Sequence, residues 1–262
     1  MKLPFYQIDA FTNRLFTGNP AVVIPLNHWL ADDTLLSIAQ QSNQPITVFY
    51  IQTETGFAIR WFTPTSESTL CGHGTLAAAY VIYRFARDQE NKIQFESKSG
   101  NLTVTVNDDW FTLDFIASQF SKAVPPPALL EGFRGNKILE VYKGGSDYMV
   151  VLESEDDLIN LDLDIIALSN IPGRGIIVTA PGSDVDFVSR FFAPQSGIDE
   201  DPVTGSTHAL LAPYWAEKLL KNTLTARQLS TRGGYLVCKI VEGRVHISGQ
   251  AKLYHKGQID VG

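Results

Sequence analysis

Two short stretches of this chain carry side chains able to move a proton at the head of a helix. The first is Leu70-Cys71-Gly72-His73-Gly74-Thr75, which runs into Leu76-Ala77-Ala78-Ala79-Tyr80. The second is Glu200-Asp201-Pro202-Val203-Thr204-Gly205-Ser206-Thr207-His208, which runs into Ala209-Leu210. His73 follows a glycine at a helix start, where an imidazole sits beside a cleft and not in a core. Asp201 precedes Pro202, so a rigid turn sets its position at the head of the second helix. Gly72, Gly74 and Thr75 in the first stretch, with Thr204, Gly205 and Ser206 in the second, offer backbone N–H and hydroxyl donors. Two such sets facing each other would bind a small carboxylate and stabilise an enolate-like charge during proton transfer. Each group also has a plainer reading. A lone histidine there is a cap, a lone aspartate favours the helix dipole, and glycine and threonine cap ordinary helices. Those readings explain one stretch well and two matched stretches less well.

The match is part of an internal repeat. Arg60-Trp61-Phe62-Thr63-Pro64 returns as Arg190-Phe191-Phe192-Ala193-Pro194, an offset of 130 residues. Each copy leads from a strand-like segment through a proline-stopped turn and small residues into an amphipathic helix. The same offset lays Cys71 on Asp201, so a proton-accepting group holds the same place in each half. The repeat predicts two lobes, residues 1–118 and 119–262, with a cleft to which each brings one helix N-terminus.

Around these helices the pattern predicts strands at Tyr6–Phe11, Ala21–Ile24, Pro45–Ile51 and Phe57–Phe62, then Ile93–Glu96, Leu102–Val106 and Trp110–Phe115. A helix follows Asp32-Asp33 with an aspartate to cap it, and another spans about Gly74 to Arg87 with a Leu76, Tyr80, Tyr83 stripe. Ser118 to Asn136, with Pro125-Pro126-Pro127, reads as a stiff connector. Beyond it come strands at Tyr148–Leu152, Gly175–Thr179 and Val185–Phe192, a helix from Gly205 to about Leu220, and two closing strands. Glu153-Ser154-Glu155-Asp156-Asp157 reads as a solvated turn.

Composition narrows the function classes. The chain has 262 residues, 44% hydrophobic and 19% charged, enough for a full core, and its net charge is −7. No block of Lys or Arg matches a phosphate-backbone footprint, so nucleic acid is excluded as an expected partner. No apolar stretch reaches the roughly 18 residues a spanning helix needs, and the start has no long apolar signal region, so a cytoplasmic location without membrane contact is expected. The cysteines, Cys71 and Cys238, are too few for a disulfide framework and lack metal spacing. Cys238 reads as a small buried hydrophobe, and His208, one turn into its helix, as a packing residue or a support for the site, placed where it could reach the cleft.

These residues carry a family resemblance. Asp9-Ala10-Phe11-Thr12, Gly18-Asn19-Pro20-Ala21, Phe62-Thr63-Pro64 with Glu67, Cys71-Gly72-His73, Phe192-Ala193-Pro194, Glu200 to Ser206 and Arg232-Gly233-Gly234 resemble the phenazine-biosynthesis isomerase-like family along nearly the whole chain. The resemblance implies an α+β, diaminopimelate-epimerase-like fold of two pseudo-symmetric lobes, each with a sheet wrapped around a central helix. It implies a homodimer that moves a proton on a small carboxylate without cofactor or metal, as the best-understood member does on a dihydro-hydroxyanthranilate. His73, Asp201, Ser206 and Gly72 stand at the family's histidine, aspartate, serine and glycine. The family's general-base glutamate, in a Ser-Glu-Thr-x-Phe pattern, does not carry over. Here the stretch is Pro45-Ile46-Thr47-Val48-Phe49, and isoleucine accepts no proton.

Two functions follow as expectations. The first is a cofactor-independent isomerase or epimerase in which Asp201 and His73 handle the proton and the helix starts hold the anion. The second is a metabolite-binding protein on the same fold whose chemistry has been lost with the glutamate at position 46. A third, a thiol-dependent racemase using Cys71, lacks a second cysteine near residue 201. Were another carboxylate to replace the glutamate, Glu67 is one instance.

Overall fold

A computed structural model describes residues 1–85 and 91–262 and divides into two compact units, Met1–Asp114 with Ser248–Gly262, and Phe115–Ile247. The last strand, Ala251–Asp260, belongs to the first unit because it pairs antiparallel with Lys2–Ala10 along its length.

The repeat in sequence is a repeat in strand pairing. In the first unit Lys2–Ala10, Asn19–Leu26, Ile46–Gln52, Phe57–Phe62, Lys92–Ser97 and Gly100–Asn107 pair in that order. The pairings run antiparallel, parallel, antiparallel, parallel and antiparallel. In the second unit Glu140–Gly144, Asp147–Val151, Gly175–Pro181, Phe187–Phe192, Thr223–Gln228 and Gly234–Val241 follow the same alternation. Each parallel step needs a crossover, and the connections supply helices or long turns. The result is the expected α+β architecture, a mixed sheet with few helices.

Each unit buries a helix. In the first it is Gly72–Phe85, whose Leu76, Ala77, Ala78, Ala79, Val81 and Ile82 are all buried. A helix apolar on every side belongs inside a sheet and not on it. It packs on five strands, including Lys2–Ala10, Asn19–Leu26 and Ile46–Gln52, and the three alanines let the strands close in. Tyr80 and Tyr83 lean on Phe111 at ring distances of 5.7 and 6.0 Å, at the edge of this core. The expected helix end at Arg87 lies outside the described residues.

In the second unit the 3₁₀ turn Gly205–Thr207 leads into the helix His208–Leu219, which buries Ala209, Leu210, Leu211, Tyr214 and Trp215. Pro213 sits within it and has no N–H to bond back to Ala209. The freed Ala209 carbonyl accepts the Ser118 N–H instead, at 2.9 Å, so the proline leaves no buried acceptor empty.

Two local expectations are corrected. The connector is not structureless, since it holds a short strand, Ser121–Lys122, and a helix, Pro127–Gly132, with proline at its first position. The helix Asp32–Ser42 is preceded by Ala31 and has no side-chain cap; its aspartates lie in the first turn, where they favour the dipole. Among the described residues no helix is long and apolar enough to cross a membrane.

Candidate active site

The first helix start is closely packed and electrically neutral. A Cβ on Gly74 would fall 2.9 Å from Val48 Cγ2 and 3.1 Å from Trp61 Cδ1, so glycine is what lets the helix head press on the sheet. The Thr75 hydroxyl donates to the Cys71 carbonyl at 2.7 Å and its N–H to the same oxygen at 3.0 Å. That threonine therefore closes the turn, with its hydroxyl hydrogen used within the helix start itself.

His73 Nδ1 lies 3.3 Å from Asn19 Nδ2 and 3.4 Å from Cys71 Sγ. An amide nitrogen only donates, so Nδ1 accepts and the ring proton sits on Nε2. Desolvation lowers the His73 pKa from 6.5 to about 4, which keeps the imidazole uncharged at neutral pH. His73 thus presents a neutral N–H, a hydrogen-bond donor that can take up negative charge from a substrate oxygen without first being protonated.

No carboxylate joins His73 from the residues near the family's glutamate. Ile46 is 2% exposed, at the first position of its strand. Glu67 is committed elsewhere: its two oxygens accept from Arg60 Nε and Nη2, both at 2.8 Å, and Lys98 Nζ adds a third bond at 2.6 Å. The Arg60 guanidinium, ahead of Lys98, holds the Glu67 pKa down to about 2, so it is no general base near neutrality.

The second helix start carries the carboxylate. The Asp201 N–H donates to the Phe191 carbonyl at 3.0 Å, and the Thr204 hydroxyl donates to Asp201 Oδ2. Gln228, fully buried at the end of its strand, spans the turn: its Nε2 donates to the Asp201 carbonyl at 2.7 Å and its Oε1 accepts the Thr204 N–H at 2.8 Å. The same Nε2 reaches Thr204 Oγ1 at 3.3 Å, which directs the threonine hydrogen onto Asp201. A buried amide thus does for this turn what a backbone pairing does in a sheet.

His208 is fully buried, with Nδ1 3.0 Å from the Thr204 carbonyl, which can only accept. Its proton is therefore on Nδ1, and burial lowers its pKa to about 4. It steadies the turn from below. Ser206 accepts a hydrogen bond from Arg174 Nη1 at 2.8 Å. Cys238 is buried and its thiol is pushed up to about 12 by desolvation, in keeping with a small core residue.

Both starts hang on the same anchor. In the first unit Arg60 forks onto Glu67 and lies 5.1 Å over the Phe62 ring. In the second Arg190 forks onto Glu200 at 2.7 and 3.0 Å and lies 5.0 Å over Phe192. Each fork ties the strand before the turn to the segment leading into the helix start. Asn19 stood in a recognised motif but without a role; Gln228, Arg174 and Asp147 gave no sequence signal, because their partners are distant in the chain. Among the described residues no group of three or more His, Cys, Asp or Glu is placed to hold a metal ion.

A repeated mixed sheet around a buried helix defines an α+β protein with an epimerase-like fold. A hydroxyproline epimerase from Agrobacterium vitis shares this fold at a TM-score of 0.59 with 12% identity, over 98% of this chain and 91% of that one, a likeness of fold alone. The chain belongs to the phenazine biosynthesis-like protein family, whose model matches residues 8–257. It is 46% identical over 259 residues to an uncharacterized isomerase of Pseudomonas aeruginosa, covering 99% of each. A crystal structure of a PhzF-family phenazine biosynthesis protein from Enterococcus faecalis superposes at a TM-score of 0.96 with 42% identity, covering 100% of both chains. Family and fold together support an isomerase- or epimerase-type function.

Proposed function

We propose that the chain is a cofactor-independent isomerase that moves a proton on a small carboxylate metabolite, with its proton-transfer and anion-binding groups at the helix starts. Asp201 is the group that takes the proton. The substrate C–H bond breaks, its electron pair remains on the substrate as an enolate, and the proton rests on Asp201 until it returns to carbon. His73, through its Nε2–H, and the N–H groups of Gly72, Gly74, Gly205 and Ser206 stabilise the oxyanion and hold the carboxylate. The observation that carries this reading is the Asp201 turn, where Gln228 and Thr204 orient a single carboxylate and keep a donor on it. The family resemblance adds a homodimer and a cytoplasmic location, the first of which sedimentation velocity tests directly.

Solvent deuterium exchange tests the chemistry. In D₂O the parent chain should label the carbon acid of a substrate drawn from a panel of small cyclic and unsaturated carboxylates, and Asp201→Asn should remove the labelling while the fold survives. Labelling that persists in Asp201→Asn rejects the assignment.

A second reading has its own support. With Ile46 buried and Glu67 locked to Arg60, neither residue substitutes for the family's glutamate, and a positioned acid or base is worth roughly 10²–10⁴-fold in rate. A protein that binds a carboxylate metabolite without turning it over fits that loss. Saturable binding without any deuterium incorporation would favour it over the isomerase.

A further inference from the structure

Ser206 is held by a cation that neither the sequence motifs nor the family pattern marks. Arg174 stands immediately before the strand Gly175–Pro181. Its Nε donates to Asp147 Oδ1 at 2.9 Å and its Nη2 to Asp147 Oδ2, a fork onto a carboxylate whose side chain is only 8% exposed. The guanidinium lies 5.1 Å over the Phe191 ring, and Nη1 reaches Ser206 Oγ at 2.8 Å. The group is thus fixed on three sides, by a buried carboxylate, an aromatic face and the serine, yet 42% of its side chain remains exposed.

Strand pairing fixes where Arg174 falls in the repeat. Phe62 faces Thr47 in the first unit, and its counterpart Phe192 faces Ile176 in the second. Arg174 therefore corresponds to Pro45, beside the position that holds Ile46. In the second half that place is given to a positive charge, which reaches Ser206.

The hydrogen-bond inventory shows what is left over. A guanidinium has five N–H groups, of which Asp147 and Ser206 use three among the described residues. Since Ser206 Oγ accepts from Arg174, its own hydrogen is directed to another acceptor. An oriented hydroxyl, a pre-set cation with N–H groups to spare and the amides of Gly205 and Ser206 make a donor set for an anion, with the geometry that arginine brings to carboxylates.

We propose that Arg174 is a specificity-determining residue, the cationic arm of the Ser206 anion site, and that it selects substrates bearing a carboxylate over uncharged analogues. The inference rests on the proposed carboxylate-binding role of the second helix start. Asp147 is its positioning residue: it holds the guanidinium over Phe191 and touches no substrate.

Anthranilate serves as the probe, with anthranilamide as its uncharged counterpart, and binding is read from the Gly205 and Ser206 amide signals of the full chain by ¹⁵N NMR. The parent chain should bind anthranilate at these amides and discriminate against anthranilamide. Arg174→Met combined with Asp147→Asn, so that no buried carboxylate is left unpaired, should weaken anthranilate about tenfold or more and bring the ratio of the two affinities close to one. A merely structural role would lower both affinities and leave their ratio intact, which would overturn the proposal. So would full discrimination in that double variant alongside lost binding in Ser206→Ala, an outcome that leaves the carboxylate site standing without Arg174. If anthranilate moves neither amide in the parent chain, the carboxylate site itself fails and the Arg174 proposal falls with it.

Discussion

At the first helix start the polar groups are a neutral imidazole, a thiol and an amide, packed so closely that Gly74 has no room for a methyl group. At the second they are a carboxylate, two hydroxyls and a guanidinium, braced by a buried glutamine. The frames that carry them are nearly the same: five strand pairings in one alternation, and one Arg–Glu fork over one phenylalanine ring. Duplication has kept the scaffold and let the functional ends diverge, so that one half offers a neutral donor and the other holds the charge.

That comparison is most exposed at Asp201. If the second half alone supplies the base, Asp201→Asn should cut deuterium exchange by roughly 10²–10⁴-fold, while His73→Gln, which retains an N–H donor, should cost roughly tenfold. Equal losses would mean the two halves share the proton transfer. The shared frame can be broken in either half. Arg190→Met should destabilise the chain by about 3 kcal/mol in urea unfolding, because it leaves the partly buried Glu200 without its fork, and Arg60→Met by less, because Lys98 still pairs with Glu67. A large cost in one half and none in the other would mean the forks are not equivalent.

A smaller effect sharpens the contrast between the histidines. The folded pKa of His208 is lowered to about 4 against an ordinary 6.5, so its contribution is intact above about pH 6.5. As the pH falls from there towards 4 the unfolded chain binds the extra proton and stability declines, by about 1 kcal/mol per pH unit from this residue. His208→Gln, whose amide can still donate to the Thr204 carbonyl, should flatten that part of the stability profile. The smallest expected change is in Thr204→Val, which removes one hydrogen bond to Asp201 and should slow exchange about five- to tenfold while shifting the melting temperature by only a few degrees.

Much of this was legible in the chain itself. Phe57–Phe62, Gly175–Pro181 and Trp110–Ile116 declare themselves as strands by their β-branched and aromatic residues, and the repeat of Arg60 to Pro64 announces the duplicated frame before any coordinates. His73 and Asp201 are visible because glycine and proline mark the turns that present them. What the sequence hides is contact across distance. Gln228 braces a turn 24 to 27 residues away, and Arg174 meets Asp147 27 residues before it and Ser206 32 after it. No periodicity encodes such pairs. Short helices such as Pro127–Gly132 and Ile165–Ser169 are hidden for a different reason, since one turn is too brief to show a 3.6-residue pattern and packing of Leu129 and Leu168 decides them.

The account depends on Asp201 meeting a carboxylate held at the second helix start. A crystal structure of the chain with anthranilate should place the ligand carboxylate at Ser206 and Arg174, with the Asp201 carboxylate against its carbon frame. Ligand bound away from Ser206, or out of reach of Asp201, would contradict it.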